Sequence, residues 1–119
     1  MQRTATIFIA LGVLGLLTTG LAAQESNWDY WGIDFANSGA TEAQPPFIRG
    51  VTALHLHMFE DAEAHFQQAQ RVDPDFAMAY WGEAMAHNQP IWRIQRRDQA
   101  LAILERLGST PTERAAKAP

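Results

Sequence analysis

The chain has 119 residues, of which 47% are hydrophobic and 18% are charged, which suits one small folded domain and argues against a disordered protein. Its formal net charge of -4 is opposite to the basic surface that nucleic-acid binding requires, so no nucleic-acid partner is expected. Cysteine is absent, which excludes disulfides, thiolate metal sites and cysteine nucleophiles.

Residues 1–23 have the pattern of a secretory signal peptide. Arg3 gives a basic start, an uncharged apolar stretch covers residues 7–17, and small or polar residues follow up to Ala23. The apolar stretch is shorter than the roughly 20 residues that a membrane-spanning helix needs, so cleavage after Ala22 or Ala23 is favoured over an uncleaved anchor helix. We therefore expect a periplasmic or secreted protein, with membrane contact only through this segment if it stays uncleaved.

Residues 24–46 are predicted to be a linker or an N-terminal cap segment. The segment is rich in turn and breaker residues and ends at the pair Pro45-Pro46. It also carries four aromatic side chains, an unusual number for a free linker: Trp28, Tyr30, Trp31 and Phe35. These aromatics either fold back over an exposed end of the domain or help to hold a partner.

Beyond this segment, apolar residues recur three and four positions apart, which is the spacing of amphipathic helices. A first helix is predicted over residues 47–58. A second, over residues 61–72, ends ahead of Pro74, because the residue before a proline avoids helical dihedral angles. Asp75 is a plausible N-cap for a third helix over residues 76–88. No segment alternates with period two, so no strand is predicted.

A fourth helix is expected over residues 96–107, and Gly108 would end it in a left-handed cap. Thr110 and Glu113 then form a capping box, with proline at the first helical position. Residues 109–119 are therefore predicted to be the start of a fifth, truncated helix.

The helices repeat at a fixed offset of 34 residues, which pairs Phe47 with Trp81, Gly50 with Ala84 and Val51 with Met85. Within the first unit, small and aromatic residues follow one another at gaps of 12, 4, 3 and 5: Gly50, Ala62, Phe66, Ala69 and Pro74. Two antiparallel helices cross closely only where small side chains lie at the contact, and an aromatic ring can then fill the space between turns. This spacing resembles the tetratricopeptide repeat.

The second unit matches the repeat less closely. Ala84 and Ala100 are 16 positions apart, four more than the equivalent gap in the first unit, and the extra residues fall within residues 88–97. Residues 47–108 are therefore predicted to form two tetratricopeptide-like hairpins of an all-α solenoid. His57 falls at the tight turn of the first hairpin, where histidine tolerates a positive φ better than most residues.

The stretch over residues 73–85 is similar to a group of bacterial exported tetratricopeptide proteins with a Trp-Gly-Glu-Ala-Met core. In that group an Asn-His-Pro turn and a tryptophan tend to follow, whereas His87 here precedes Asn88, so any role of that histidine does not carry over. The resemblance implies a superhelical interaction surface and no known reaction. Two units are few for such an array, which leaves open a fragment of a longer array or self-association through the last helix.

In the repeat family, the first helix of each unit lines the concave side. The resemblance therefore implies a groove that binds a protein or peptide partner, and its aromatic and Met-rich surface suits an extended peptide or an amphipathic helix. An alternative is that much of this surface is core. The groove residues would be Phe47, Val51, Leu54, His55, Met78, Trp81, Met85, Asn88 and Gln89.

A second functional hypothesis is a copper-associated exported protein. Histidine and methionine are ligands for copper, and seven of them recur here: His55, His57, Met58, His65, Met78, Met85 and His87. Against it, His55 and His57 would point to different faces of a continuous helix. No nucleophile elbow, phosphate loop or zinc-protease helix is found, so we expect neither an enzyme nor a cofactor. The basic spot of Arg93, Arg96 and Arg97 is either a solvated turn or a contact for an acidic partner.

Overall fold

A computed structural model of the protein describes residues 36–118, and five α-helices account for most of these described residues. Two 3-10 turns and one very short β-hairpin complete the described part. The elements are a 3-10 turn at Thr41–Ala43, α1 (Gln44–His55), α2 (Phe59–Val72), α3 (Ala77–Ala86), β1 (Asn88–Gln89), a second 3-10 turn at Pro90–Trp92, β2 (Ile94–Gln95), α4 (Arg97–Leu107) and α5 (Pro111–Lys117). The prediction of an all-α fold built from helix hairpins is confirmed. Within the described residues, no helix has both the length and the apolar character needed to cross a membrane.

Helix α1 starts earlier than the sequence predicts. It begins at Gln44, inside the segment assigned to the linker or cap, and Pro45 and Pro46 occupy its first turn. Proline is tolerated there because the first N–H groups of a helix have no partner within the helix. The signal segment and the four aromatic residues of the predicted linker lie outside the described residues.

The turns around α2 follow the sequence prediction. His57 takes φ 61° in the connection between α1 and α2, and α2 ends at Val72 with Asp73 as its C-cap. The carboxylate of Asp73 then accepts hydrogen bonds from the backbone N–H of Asp75, at 3.1 Å, and of Ala40, at 2.8 Å. Asp73 therefore holds both the α2–α3 turn and the chain that leads into α1.

Two predicted helix caps are wrong. Asp75 is not the N-cap of α3, which is Phe76 without a side-chain cap, and the Asp75 carboxylate instead pairs with Lys117 Nζ at 2.8 Å. Gly108 is extended, with φ -175°, and not left-handed. A glycine is favoured there because a Cβ would lie only 2.9 Å from Glu113 Cβ. The capping box of Thr110 and Glu113 is confirmed.

The stretch that contains the four extra residues of the second unit forms a β-hairpin over residues 88–95, so the prediction of no strand is wrong. Asn88 pairs with Gln95 and Gln89 with Ile94 in antiparallel register. The turn includes Arg93 at φ 56°. Strands of two residues are too short to produce a detectable period-two pattern.

The main core contains three fully buried phenylalanine rings, from α1, α2 and the start of α3. Phe47 lies 4.7 Å from Phe76 and 5.8 Å from Phe66 between ring centroids. The Phe66 ring covers Gly50 and Gly82, and a Cβ at either glycine would overlap it. Helices α1, α2 and α3 contact one another, so this region packs as three helices around Phe66. A second apolar cluster joins α3 to α4 through Tyr80, Ala84, Ile103 and Leu107.

Candidate functional site

The candidate site is an open cleft where α1 and α3 end. It has a volume of about 360 Å³, and we call it the α1–α3 cleft. Helix α1 ends at His55 and α3 ends at Ala86, so both C-termini lie at this end of the molecule. The cleft is lined by Leu54, His55, His57, Phe59, Trp81, Met85, Asn88 and Pro90.

Five of the predicted groove residues come together in this cleft: Leu54, His55, Trp81, Met85 and Asn88. The indole of Trp81 is 43% exposed, although tryptophan is usually well covered. Its exposure on the same cleft as Met85 makes a surface of aromatic and thioether groups. Such surfaces adapt to varied apolar side chains.

The other predicted groove residues lie elsewhere. Phe47 and Val51 are buried in the main core, and Met78 packs against that core. The prediction that Phe47 and Val51 line the groove is therefore wrong, because the rings of Phe66 and Phe76 cover this face of α1. Gln89 is also buried, and its side-chain amide donates to the Ala86 carbonyl at 3.2 Å.

One wall of the cleft continues into an aromatic cluster that the sequence did not indicate. The Trp92 ring makes edge contacts with Phe59 at 5.6 Å and with His57 at 5.8 Å between centroids. His57 and Phe59 are themselves 5.9 Å apart. Trp92 belongs to the inserted β-hairpin, so the insertion packs against the α1–α2 turn and fixes the wall of the cleft.

A hydrogen bond within α1 orients the His55 imidazole. His55 Nδ1 lies 2.8 Å from the Val51 carbonyl oxygen, which can only accept a hydrogen bond. Nδ1 therefore carries the proton in the neutral ring, and Nε2 has a free lone pair. This arrangement leaves His55 Nε2 available to accept a hydrogen bond from a ligand or to coordinate a metal ion.

The electrostatics of the cleft favour uncharged or cationic groups. No Asp, Glu, Lys or Arg side chain lines it. The C-terminal ends of α1 and α3 add partial negative charge, since unpaired carbonyl groups concentrate there.

A second cleft adjoins the first and has the opposite character. It has a volume of about 230 Å³ and is lined by His87, Asn88, Gln95, Arg96, Arg97 and Ala100. We call it the arginine cleft. Asn88 lines both clefts. Arg93, Arg96 and Arg97 are all exposed, so this side of the surface presents positive charge beside an apolar cleft.

The structure also contains a buried polar network that the sequence did not indicate. The Glu83 carboxylate accepts hydrogen bonds from Gln70 Nε2 at 2.6 Å and from Gln67 Nε2 at 3.0 Å. It forms an ion pair with Arg106 of α4, whose guanidinium lies over the Tyr80 ring at 5.8 Å. Burial raises the pKa of the Tyr80 hydroxyl, which donates to the Pro74 carbonyl at 3.0 Å.

The histidines and methionines divide between the cleft and other surfaces. His55, His57 and Met85 line the α1–α3 cleft together, whereas His65 lies on α2 and His87 lies 3.8 Å from the Glu63 carboxylate. Among residues 36–118, no group of three or more His, Cys, Asp or Glu side chains is placed to hold a metal ion. A metal site at the cleft would therefore need a ligand of another type besides its two histidines, and Met85 and Asn88 are the candidates that line it.

Comparisons with known proteins give no family assignment. No protein-family model matches the chain, and no curated protein or solved structure matches it significantly.

Proposed function

We propose that this chain is an exported tetratricopeptide-type scaffold that binds a peptide segment of a protein partner in the α1–α3 cleft. The observation that carries the proposal is the exposed Trp81 indole, which shares one cleft with four further groove residues expected from the repeat. The 34-residue offset and the packing of Phe66 over Gly50 support the repeat assignment. The signal-like first 23 residues support export to the periplasm or the medium.

The chemistry of the two clefts defines the expected peptide. A cleft of about 360 Å³ accommodates one or two large apolar side chains, and Trp81 with Met85 offers them aromatic and thioether contacts. The exposed arginines of the neighbouring arginine cleft attract acidic residues. We therefore expect a segment with an aromatic or aliphatic anchor and acidic residues a few positions away.

A selection from a random peptide library displayed on phage tests this proposal with the full chain as bait. We expect the selected peptides to share an apolar anchor beside acidic residues and to bind less tightly as salt is raised. Trp81→Ala should abolish their binding, and Arg96→Gln with Arg97→Gln should weaken it. Leu101→Ala is the matched control, because Leu101 is an exposed apolar residue of α4 that lines neither cleft.

Three outcomes would contradict the proposal. The selection could yield no common sequence, the selected peptides could bind Trp81→Ala as tightly as the original chain, or only Leu101→Ala could reduce binding. Reduced binding in Leu101→Ala alone would place the interaction on α4, outside both clefts, and would favour self-association through the end of the helix stack. Sedimentation of the chain alone over a range of concentrations separates that case, because peptide binding at the cleft does not require a dimer.

A further inference from the structure

The α1–α3 cleft brings together two imidazoles and one thioether. His55, His57 and Met85 all line it. Two histidines spaced by two residues on a continuous helix would point to different faces, but α1 ends at His55 and His57 takes φ 61° in the turn that follows. The break in the helix therefore turns both rings toward one cleft.

Each of the three side chains has a feature that suits a ligand. The Val51 carbonyl accepts the Nδ1 proton of His55 and leaves Nε2 free, which is the usual arrangement of a metal-binding histidine. The rings of Phe59 and Trp92 pack against His57 and fix its orientation. Met85 is partly exposed on α3 and lines the cleft, so its thioether side chain is within the reach of a ligand there.

We propose that the α1–α3 cleft binds one Cu(I) ion through His55 Nε2, the His57 imidazole and Met85 Sδ. Imidazole and thioether are soft or borderline ligands, and thioether sulfur selects Cu(I) over Mg²⁺, Ca²⁺ and Mn²⁺. No carboxylate lines the cleft, and the Asn88 amide offers only one side-chain carbonyl oxygen, whereas hard cations take about six or more oxygen ligands. The C-terminal ends of α1 and α3 stabilise a positive charge there. The Cu(I) site shares the cleft and Met85 with the proposed peptide site, but Cu(I) binding does not depend on a bound peptide.

The test is a titration of the full chain with Cu(I), under anaerobic reducing conditions, in competition with the coloured chelator bicinchoninate. We expect one Cu(I) ion per chain. Met85→Leu, His55→Gln and His57→Asn should each weaken binding at least about tenfold, because each removes one ligand. Leucine conserves the volume of methionine, and asparagine tolerates the positive φ at position 57, so these changes preserve the fold.

Matched controls are available outside the cleft. Met58→Leu and His65→Gln remove one thioether and one imidazole that do not line it, and both should leave Cu(I) affinity unchanged. The proposal is overturned if the chain does not compete with the chelator, if Met85→Leu and His55→Gln bind as tightly as the original chain, or if the control variants lose binding equally. No peptide is present in this titration, so failure here leaves the peptide selection unaffected, and the converse holds as well.

Discussion

The guanidinium of Arg106 on α4 is paired with the carboxylate of Glu83 on α3, and the two side chains differ sharply in exposure. Glu83 is only 2% exposed, whereas the side chain of Arg106 is 50% exposed. Gln67 and Gln70 of α2 donate to the same carboxylate. The buried Glu83 carboxylate therefore links α2, α3 and α4. Its ion pair with Arg106 fixes where α4 lies against the first three helices.

Because the two side chains differ in exposure, we expect removal of Arg106 and removal of Glu83 to change the free energy of unfolding by different amounts. Arg106→Met leaves the Glu83 carboxylate buried without its counter-charge, so unfolding should become easier by about 3 kcal/mol. Glu83→Met should cost less than about 1 kcal/mol, because an apolar side chain of similar volume replaces the buried acid. Arg106 can then return to water, while Gln67 and Gln70 keep bonds to Glu63 and to the Ala79 carbonyl.

Urea denaturation of both variants and of the double variant measures these differences. The double variant should recover most of the stability that Arg106→Met loses, since no buried charge remains. If the two single variants lose equal amounts of stability, the Arg106–Glu83 pair contributes to stability in the way that an exposed surface ion pair does.

The Phe66 ring predicts that Gly82 resists replacement. A Cβ at position 82 would overlap the ring more deeply than one at Gly50, where the nearest ring carbon is 2.8 Å away. Gly82→Ala should therefore destabilise the protein by about 1–2 kcal/mol, even though alanine favours helix by about 1 kcal/mol. Gly50→Ala should cost less. Adding Phe66→Leu should partly rescue Gly82→Ala, and a Gly82→Ala variant more stable than the original chain would contradict this packing.

The aromatic wall of the cleft gives a third prediction with a neighbouring control. Trp92 is 53% exposed but makes edge contacts with Phe59 and His57, whereas Ile91 is 66% exposed and lies next to it in the hairpin. Trp92→Ala should lower the free energy of unfolding by about 1 kcal/mol, and Ile91→Ala should change it by less than about 0.5 kcal/mol. Similar effects for both would mean that the hairpin does not stabilise the α1–α2 turn.

The pH dependence of stability includes a contribution from His65. Burial, followed by the positive charge of Arg49, lowers its pKa below 6.5, while Asp61 acts in the opposite direction. Below pH 6.5 the unfolded chain takes up a proton more readily than the folded one, so stability should fall with pH until the pH drops through the folded-state pKa. Well above pH 6.5, His65 is neutral in both the folded and the unfolded state and no longer affects the pH dependence.

Comparison with His65→Gln isolates this contribution, because the variant should lose less stability between pH 7 and pH 5. An NMR titration of the His65 ring gives the pKa directly, and Arg49→Gln should raise it. A pKa at or above 6.5 in the original chain would contradict the burial of this side chain.

Helices α1 to α4 could be predicted because each buries one face at regular spacing, and α5 because a capping box marks its start. The failures have local causes. Prolines 45 and 46 suggested a connector, yet the first turn of a helix accommodates them. The 34-residue offset pairs Gly50 with Ala84, which predicts a close contact at Ala84. The residue of α3 that the Phe66 ring covers is instead Gly82, two positions before Ala84. Ring placement depends on the rotation of α3 relative to α2, which spacing alone does not specify.

The site was only partly predictable for a similar reason. Phe47 and Trp81 occupy equivalent repeat positions, but Phe47 is covered by the rings of Phe66 and Phe76, and Trp81 is exposed. Equivalent positions share a helix face but not the neighbours that cover it. Glu83 gave no signal, because an acid on a helix is usually solvated and its partner Arg106 is 23 residues away.

An NMR titration of the isotope-labelled chain with a peptide from the selection locates the binding site directly. We expect the signals of the Trp81 indole N–H and the Met85 methyl to shift first and together, and those of Arg96 and Arg97 to follow only for peptides that carry acidic residues. Shifts confined to α4 and α5, around Leu101, with Trp81 and Met85 unchanged, would contradict the claim that the α1–α3 cleft is the binding site.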